Sequence, residues 1–525
     1  VDHVDTSPES PPDPDHGTAH PARIGRRRWL AYAGAALGGA ALGAGGVGGA
    51  VALGDDDSGG GAASTAEDTE ELPPVRTYVS TQLVAPDVEV ESFGAGPSEG
   101  LLFTGGRVDT FRGAVYDNEG EPVWIEPYGR PVAGLRVQRY RGEPVLTYWA
   151  GTVGLGFGWG QGVLLDRSYR QVGTVDAGHG VQADLHEFEL TDRGTALLTA
   201  YPTHRADVSS LGAPTDGWML DNHLQEIDVE TGEVLLDWVA SEHLDLDESN
   251  QRAGGARPGD TPEGAIDPFH LNSAQARGDA VLLSFRHTDA LVLIDRRTGE
   301  IRWRLGGTAS DFEVPDECGF RYQHDARFLD GGEDGTSTTG RLSIFDNNGN
   351  GSEGSGTSSA LFLDVDEKGR SVSLVRRLED GQKTQAMGST QQLAGGNVVV
   401  DWGTAPVISE ITPDGDVVWR MTRLGSGSYR GLRQTWTARP TTTPDVAAVT
   451  DGGSMTVYAS WNGATEVARW RALAGDRRDA LVRAEEAERS GFETSLEVEA
   501  ARYLAVVALD AEGQELGRSR TITVR

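Results

Sequence analysis

From about residue 77 to residue 440 the chain is built of short apolar runs that alternate with polar residues and break at Gly, Asp or Asn. Alternation of period two between turn signals predicts strands and hairpins rather than helices. Two kinds of strand–turn–strand unit recur. The first opens on a histidine in three copies: His186 leads into 187–190, a turn at 191–194 and 195–201; His270 leads into 271–275, a turn at 276–279 and 280–284; His324 leads into 325–329, a long polar loop and 341–345. Weaker copies lie at 101–105, 135–148 and 389–402. The second kind, an apolar strand, an Asp/Gly turn and a strand often carrying Trp, occurs at 114–124, 163–175, 225–238, 292–303, 361–378 and 408–419. The two kinds interleave, so each pair forms one four-stranded antiparallel sheet, and the spacing of about 40 to 70 residues suits propeller blades. Glu-Thr-Gly-Glu at 230–233, Arg-Thr-Gly-Glu at 297–300 and Pro-Asp-Gly-Asp at 413–416 fit tight hairpins. The expected fold class is all-β: a six-bladed β-propeller over 77–440, followed by a small C-terminal β-sandwich. Unrelated β-sandwich domains would explain neither the interleaving nor the count.

Over 441–525 the repeat stops. Strands are expected at 455–461, 467–474, 495–500 and 504–509, with one helical excursion near 481–488, and the pattern resembles a fibronectin-type-III-like appendage. Residues 1–54 form a Pro- and Asp-rich leader and a signal or anchor. Arg26-Arg27-Arg28-Trp29-Leu30 before a Gly/Ala-rich stretch at 31–53 resembles a twin-arginine export signal. Its rival is a membrane anchor, since the stretch would just span a bilayer at about 1.5 Å per residue. Glycine content and the small-residue site Ala50-Val51-Ala52 favour cleavage, and either way the body lies outside the cytoplasm. The acidic Gly/Ser-rich segment 55–76 reads as a flexible tether.

Charge narrows the partners. A formal charge of −34 excludes nucleic acid and anionic membrane surfaces, both of which need basic patches. One cysteine, Cys318, leaves no intramolecular disulfide framework.

In a propeller the innermost strands line a central channel, which would bring His186, His270 and His324 together at one mouth. Arg286, at the end of the strand antiparallel to the one His270 starts, is expected beside His270. Asn272, two residues on, is expected on the same face. His287 neighbours Arg286 and is expected to point the other way, into a structural hydrogen bond. His179, His204, His223 and His243 read as surface or core residues.

Asp-Pro-Phe-His-Leu-Asn-Ser at 267–273, Ser-Phe-Arg-His at 284–287, Trp-Arg-Leu-Gly-Gly at 303–307, Gln-His-Asp-Ala at 323–326 and Ile-Phe-Asp-Asn at 344–347 together resemble the arylsulfotransferases. The likeness is to the exported, nucleotide-independent aryl-sulfate sulfotransferases and covers about 77–440. It implies transfer of a sulfuryl group from a phenolic sulfate ester to a phenol through a sulfohistidine, with no cofactor and no metal. It also implies His324 as nucleophile, His270 and Asn272 as sulfate-binding, Arg286 as the arginine of the pocket and His186 as the remaining channel histidine. A hydroxyl from the last blade, Thr390 or Ser389, completes the set. Such roles fit the chemistry: a neutral imidazole is a good nucleophile near pH 7, and a guanidinium both holds sulfuryl oxygens and disfavours protonation nearby.

Two other readings compete. Three convergent histidines suit an open zinc site of a metal-dependent hydrolase, although Arg286 would repel a cation and no acidic second shell is evident beyond Asp325. Propellers also serve as non-catalytic binding scaffolds. The run 346–351 faintly mimics a calcium loop, but Thr357 stands where glutamate is needed, so a solvated turn is the better reading.

Overall fold

The computed structural model describes residues 73–107, 110–154, 156–253, 258–329, 339–348 and 356–524. The signal or anchor over 1–54 and all but the last residues of the 55–76 tether lie outside them, as do Gly349–Gly351 of the calcium-like run. Among the described residues no helix is long and apolar enough to cross a membrane.

The chain is all-β, with antiparallel sheets and a few one-turn 3-10 helices. Leu271–Arg277, Ala280–Phe285, Ala290–Asp295 and Ile301–Gly306 form one four-stranded meander. His324–Phe328, Thr339–Asp346, Ser359–Asp366 and Ser371–Leu378 form the next. Upstream, Val132–Tyr140, Glu143–Val153, Gly158–Leu165 and Gln171–Val175 form a meander, as do Ala183–Leu190, Thr195–Ala200, His223–Asp228 and Val234–Val239. These two are joined into one sheet through the pair Ala183 and Gly160.

The remaining two meanders borrow strands from far along the chain. Ser389–Gln392, Val398–Asp401, Val407–Ile411 and Val417–Thr422 take a fifth strand, Glu89–Ser92, at their outer edge. Leu101–Arg107, Phe111–Tyr116 and Pro122–Ile125 take Leu432–Gln434 as their first strand. Leu101–Arg107 is therefore the second strand of its sheet, not the first as its texture suggests.

The tryptophans of the outer strands tie consecutive sheets together. Trp238 donates from its indole to Gly299 O (3.0 Å), in the outer hairpin turn of the following sheet, and Trp419 does the same to Asn118 O (2.9 Å). Both rings are buried, so each indole N–H needs such an acceptor. Apolar faces of successive sheets pack between them: Leu197, Leu224 and Trp238 share a core with Leu271, Val281 and Val292.

Distant segments of the chain meet at a buried carboxylate. Glu187 accepts from Arg136 (2.9 Å) of the same sheet, Arg327 (2.6 Å) of the His324–Phe328 strand and Arg430 (3.0 Å), just before Leu432–Gln434. Arg327 and Arg430 also take Asp325, at 2.8 and 3.0 Å. A charge this deep is tolerated only when paired on several sides.

Beyond residue 440, Asp445–Asp451, Ser454–Ser460 and Glu493–Glu499 form one sheet, and Val482–Glu488, Arg469–Gly475, Tyr503–Leu509, Glu515–Arg518 and Ile522–Thr523 a second, with Met455, Trp470, Leu496 and Val506 in the shared core. The helical excursion expected near 481–488 is a strand. Its Ala/Glu content favours helix, but pairing with Arg469–Gly475 overrides it, helped by the cross-strand ion pairs of Glu486 with Arg469 and Arg471.

Candidate active site

In each of the three histidine-bearing inner strands the pairing register slips at or beside the histidine: within 183–188, between Leu271 and Ser273, and between His324 and Arg327. Bulges re-aim side chains where a ladder would fix them. His270 sits just before its strand with φ +59, and Asp325 follows His324 with φ +49.

These irregularities gather the imidazoles. His186 and His270 meet edge to face with ring centroids 4.8 Å apart, and His270 lies 4.7 Å from His287. Tyr201 stacks on His186 at 5.3 Å and Tyr429 meets it edge-on at 5.6 Å. His324 is buried, and Arg286, His270 and His186 all stand near enough to oppose its protonation. Arg286 N–H donates to His270 O (3.0 Å), which puts the two residues side by side as the hairpin argument requires.

Each histidine is held at Nδ1 by a different residue. His186 donates to Asp184 Oδ1 (2.5 Å), His270 to Asp267 Oδ2 (2.5 Å), and His324 to Asn347 Oδ1 (2.7 Å), with Tyr322 O a second acceptor at 3.1 Å. The free nitrogen of His324, Nε2, accepts a 3.2 Å hydrogen bond from Met387 N–H. Asp325 touches no histidine nitrogen; it binds Arg327, Arg430 and the Thr390 N–H (3.3 Å).

Burial, and then the Arg286 charge, holds the His324 imidazole well below its ordinary range, so it is neutral at pH 7. Burial also pushes His270 down, partly offset by Asp267. Burial would raise the Asp267 carboxyl, but its pairing with His270 outweighs burial and brings it to about 2.

The strand carrying Arg286 ends one residue early. Phe285 is its last member, and Arg286-His287-Thr288 make a 3-10 turn before Asp289 at φ +50. His287 therefore does not point away from Arg286; it joins the cluster. Its Nδ1 donates to Asp267 O (2.8 Å), and its Nε2 accepts from Arg286 Nη1 (2.7 Å). The guanidinium also donates to Gln385 O (2.9 Å) and lies 4.9 Å over the Tyr322 ring.

Asn272 reaches toward the His324 strand, donating from Nδ2 to Gln323 O (2.7 Å), while its buried Oδ1 has no partner among the described residues. Thr390 Oγ1 is likewise buried and without a partner among them. Ser389 Oγ is engaged by the Gly431 N–H (3.1 Å), so of the two hydroxyls Thr390 is the one without a partner among the described residues. His179 and His223 share Asp237, and His243 stacks on Trp238 at 4.6 Å. His204 stands at 3.7 Å from Asp221. None of these joins the cluster.

Asp267, His270 and His287 bring their donor atoms within 4.8 Å of one another, the spacing of a metal site. The donor set does not fit one. Both His287 nitrogens and His270 Nδ1 are committed to hydrogen bonds, and the Arg286 cation touches the group. The calcium-like run is committed as well: Asp346 takes Arg377 (2.7 Å) and the Arg321 N–H (3.0 Å), while Asn347 faces His324. Two open clefts, lined in part by Gln138, Arg139, Gln434 and Trp436, lie away from these histidines.

Sequence reasoning missed Asp184, Asp267, Asn347, Tyr201 and Tyr429. The first two stand two and three residues before their histidines, a spacing visible in the chain.

The chain matches the family described as Arylsulfotransferase (ASST) over residues 136–424, more than half its length. No curated protein matches it. Among solved structures it is similar to a protein of unknown function from Bacteroides caccae (14% identity, covering 64% of this chain and 98% of that one, TM-score 0.36). It is also similar to virginiamycin B lyase from Staphylococcus aureus (9%, 72% and 97%, 0.32) and to the periplasmic gluconolactonase of Pseudomonas aeruginosa (13%, 81% and 96%, 0.33). Likenesses this distant carry no argument about the site.

Proposed function

The chain belongs to the arylsulfotransferase family, and from that premise we propose that it moves a sulfuryl group from a phenolic sulfate ester to a phenolic acceptor through a sulfohistidine on His324, with no nucleotide donor. The observation that carries this reading is the state of His324: neutral, with Nδ1 committed to Asn347 and its one lone pair at Nε2, beside the Arg286 cation.

In the first half-reaction the Nε2 lone pair displaces the Met387 N–H and attacks sulfur. An N–S bond forms, the S–O bond to the aryl group breaks, and the phenolate leaves with the bonding pair. The transition state is loose, as in phosphoryl transfer, with charge on the peripheral oxygens. In this reading Arg286, the second N–H of the Asn272 amide and the Thr390 hydroxyl hold those oxygens. His186 and His270, each backed by a carboxylate, carry the proton: it passes to the departing phenolate and is taken from the acceptor phenol in the second half. The acceptor oxygen then attacks sulfur and the N–S bond breaks, restoring neutral His324. Two displacements give ping-pong kinetics.

In this reading the four-stranded meanders are the blades of a six-bladed propeller, and the residues after 440 form a separate β-sandwich. The Arg26-Arg27 segment would direct export, leaving the body outside the cytoplasm, secreted or tethered.

The test is to incubate the protein with an aryl sulfate and no acceptor, then digest it. Phenol release with a sulfuryl adduct on the peptide containing His324 is expected, and His324→Asn should abolish both. Chelator-sensitive hydrolysis without an adduct would sink the proposal in favour of a metal-dependent hydrolase, and neither release nor adduct would favour a binding scaffold.

A further inference from the structure

We propose that Asn347 is a positioning residue that makes His324 differ from its neighbours: its uncharged amide accepts the Nδ1 proton and so directs the lone pair to Nε2 without supplying a counter-charge. The inference rests on the sulfohistidine reading and deepens it.

The three imidazoles share one pocket but not one kind of partner. His186 and His270 each face a carboxylate at 2.5 Å, whereas His324 faces an amide at 2.7 Å. A carboxylate behind an imidazole fixes its tautomer and also stabilises the imidazolium. That suits a group that carries protons and spoils a nucleophile, because the imidazolium has no lone pair to attack with. An amide acceptor gives the orientation alone.

The amide has one possible orientation. Its Nδ2 donates to Met387 O (3.2 Å) and Thr384 O (3.4 Å), so Oδ1 must face His324; a flipped amide would set an oxygen against two carbonyls. Met387 completes a closed circuit, since its N–H caps His324 Nε2 while its carbonyl holds Asn347. It occupies φ +64 and is followed by Gly388 at φ +106, a backbone bent to present both groups to the same side. Thus Asn347 and Met387 between them define both nitrogens of the imidazole.

The groups facing His324 agree with this assignment. On the channel side are Arg286, His270 and His186, all of which oppose a second positive charge. Asp325, next along its own strand, turns to Arg327 and Arg430. Asp346, next to Asn347, is taken by Arg377. Tyr322 offers its carbonyl to His324 Nδ1. Among the described residues no carboxylate reaches a His324 nitrogen.

The decisive variant is Asn347→Asp, which keeps an acceptor in place and adds the charge. Adduct formation from an aryl sulfate would be followed from pH 5 to 9 in the full chain. The variant's acidic limb is expected to move up by about one pH unit or more, so that its rate relative to the unaltered protein falls progressively as pH drops toward 5, up to roughly tenfold or more below the unaltered limb, and the two profiles converge toward pH 9. A profile superposable on that of the unaltered protein would overturn the proposal. Should the variant not fold, 15N-histidine labelling of the unaltered protein decides, with His324 assigned by the signal lost in His324→Gln. Expected is the Nδ1–H tautomer, unprotonated at pH 6; the Nε2–H tautomer, or a charged ring at that pH, would overturn the inference. If the unaltered protein forms no His324 adduct at any pH, the sulfohistidine reading fails, and the labelling still decides what Asn347 does to His324.

Discussion

Arg286 donates to the Nε2 of His287 at 2.7 Å, so two adjacent basic residues are joined by a hydrogen bond in which one must be uncharged. His287 is that one. Its Nδ1 proton goes to Asp267 O, and burial, then His270 and Arg286, keeps it from taking a second. A guanidinium held in this way has a fixed orientation, which the proposed sulfuryl transfer would use. His287→Leu is expected to lower kcat/KM for an aryl sulfate roughly 10- to 100-fold, the usual range for loss of an orienting partner. His287→Gln, which keeps an acceptor, should recover part of the loss, and equal losses in both variants would reduce His287 to a packing role.

Thr390 and Ser389 separate binding from stability. Thr390→Val removes a buried hydroxyl that has no partner among the described residues, so the melting temperature should hold or rise. Turnover should nevertheless fall roughly 100-fold or more if that hydroxyl holds a sulfuryl oxygen. Ser389→Ala should do the reverse, costing about 1 kcal/mol through its lost bond with Gly431 while turnover is kept. Parallel thermal and kinetic assays would decide.

Glu187 bears on the whole fold. Burial would raise its carboxyl, but Arg327, Arg430 and Arg136 outweigh burial and hold it far below the usual carboxylate range. A depressed folded value stabilises the fold above the unfolded value and loses that contribution as pH falls through the acid range. Glu187→Gln takes a charged partner from three buried guanidiniums, of which Arg327 and Arg430 keep Asp325, and should cost roughly 3–5 kcal/mol in urea unfolding at pH 7. Neutralising Asp479, in its exposed 3.0 Å pair with Arg477, should be indistinguishable from no change.

Asp401 has the opposite sign. Burial pushes its carboxyl up to about 8, although Ser428 and the Gly403 N–H bond to it. The neutral acid therefore favours folding below the unfolded value of about 4, and that contribution drains away as pH rises toward 8. Asp401→Asn imitates the neutral acid. It should raise stability at pH 8 by on the order of a few kcal/mol and make little difference near pH 4. Unfolding curves at the two pH values check this, and an equal effect at both would dismiss it.

The positions of His186, His270 and His324 were legible because each stands near the start of the first strand of a repeated unit, and a repeat places like residues alike. The pairing of Arg286 with His270 followed from hairpin geometry. What escaped was local backbone: the 3-10 turn at 286–288 that swings His287 inward, and the register slips that aim the histidines. Asp184 and Asp267 were visible as neighbours in sequence, but a carboxylate near a histidine says nothing of its direction until the bulge is known. Asn347 belonged to a motif without an evident job. Leu432–Gln434 was lost for a plainer reason, since three residues with one apolar member carry no periodicity. The strand 482–488 was hidden by helix-favouring residues that cross-strand pairing overrode.

The short strand Leu432–Gln434 sets a schedule. Leu432 pairs with Phe103 and Trp419 with Ser92, so two sheets begun near the start of the described chain are finished only by residues more than 300 positions later. During synthesis the 101–107 and 89–92 segments wait with bare strand edges, the kind of surface that recruits other chains. Such distant pairing is slow to form even in a complete chain. Leu432–Gln434 is thus a latch for Leu101–Arg107, and truncation anywhere before Gln434 should leave an aggregating fragment rather than a smaller working protein.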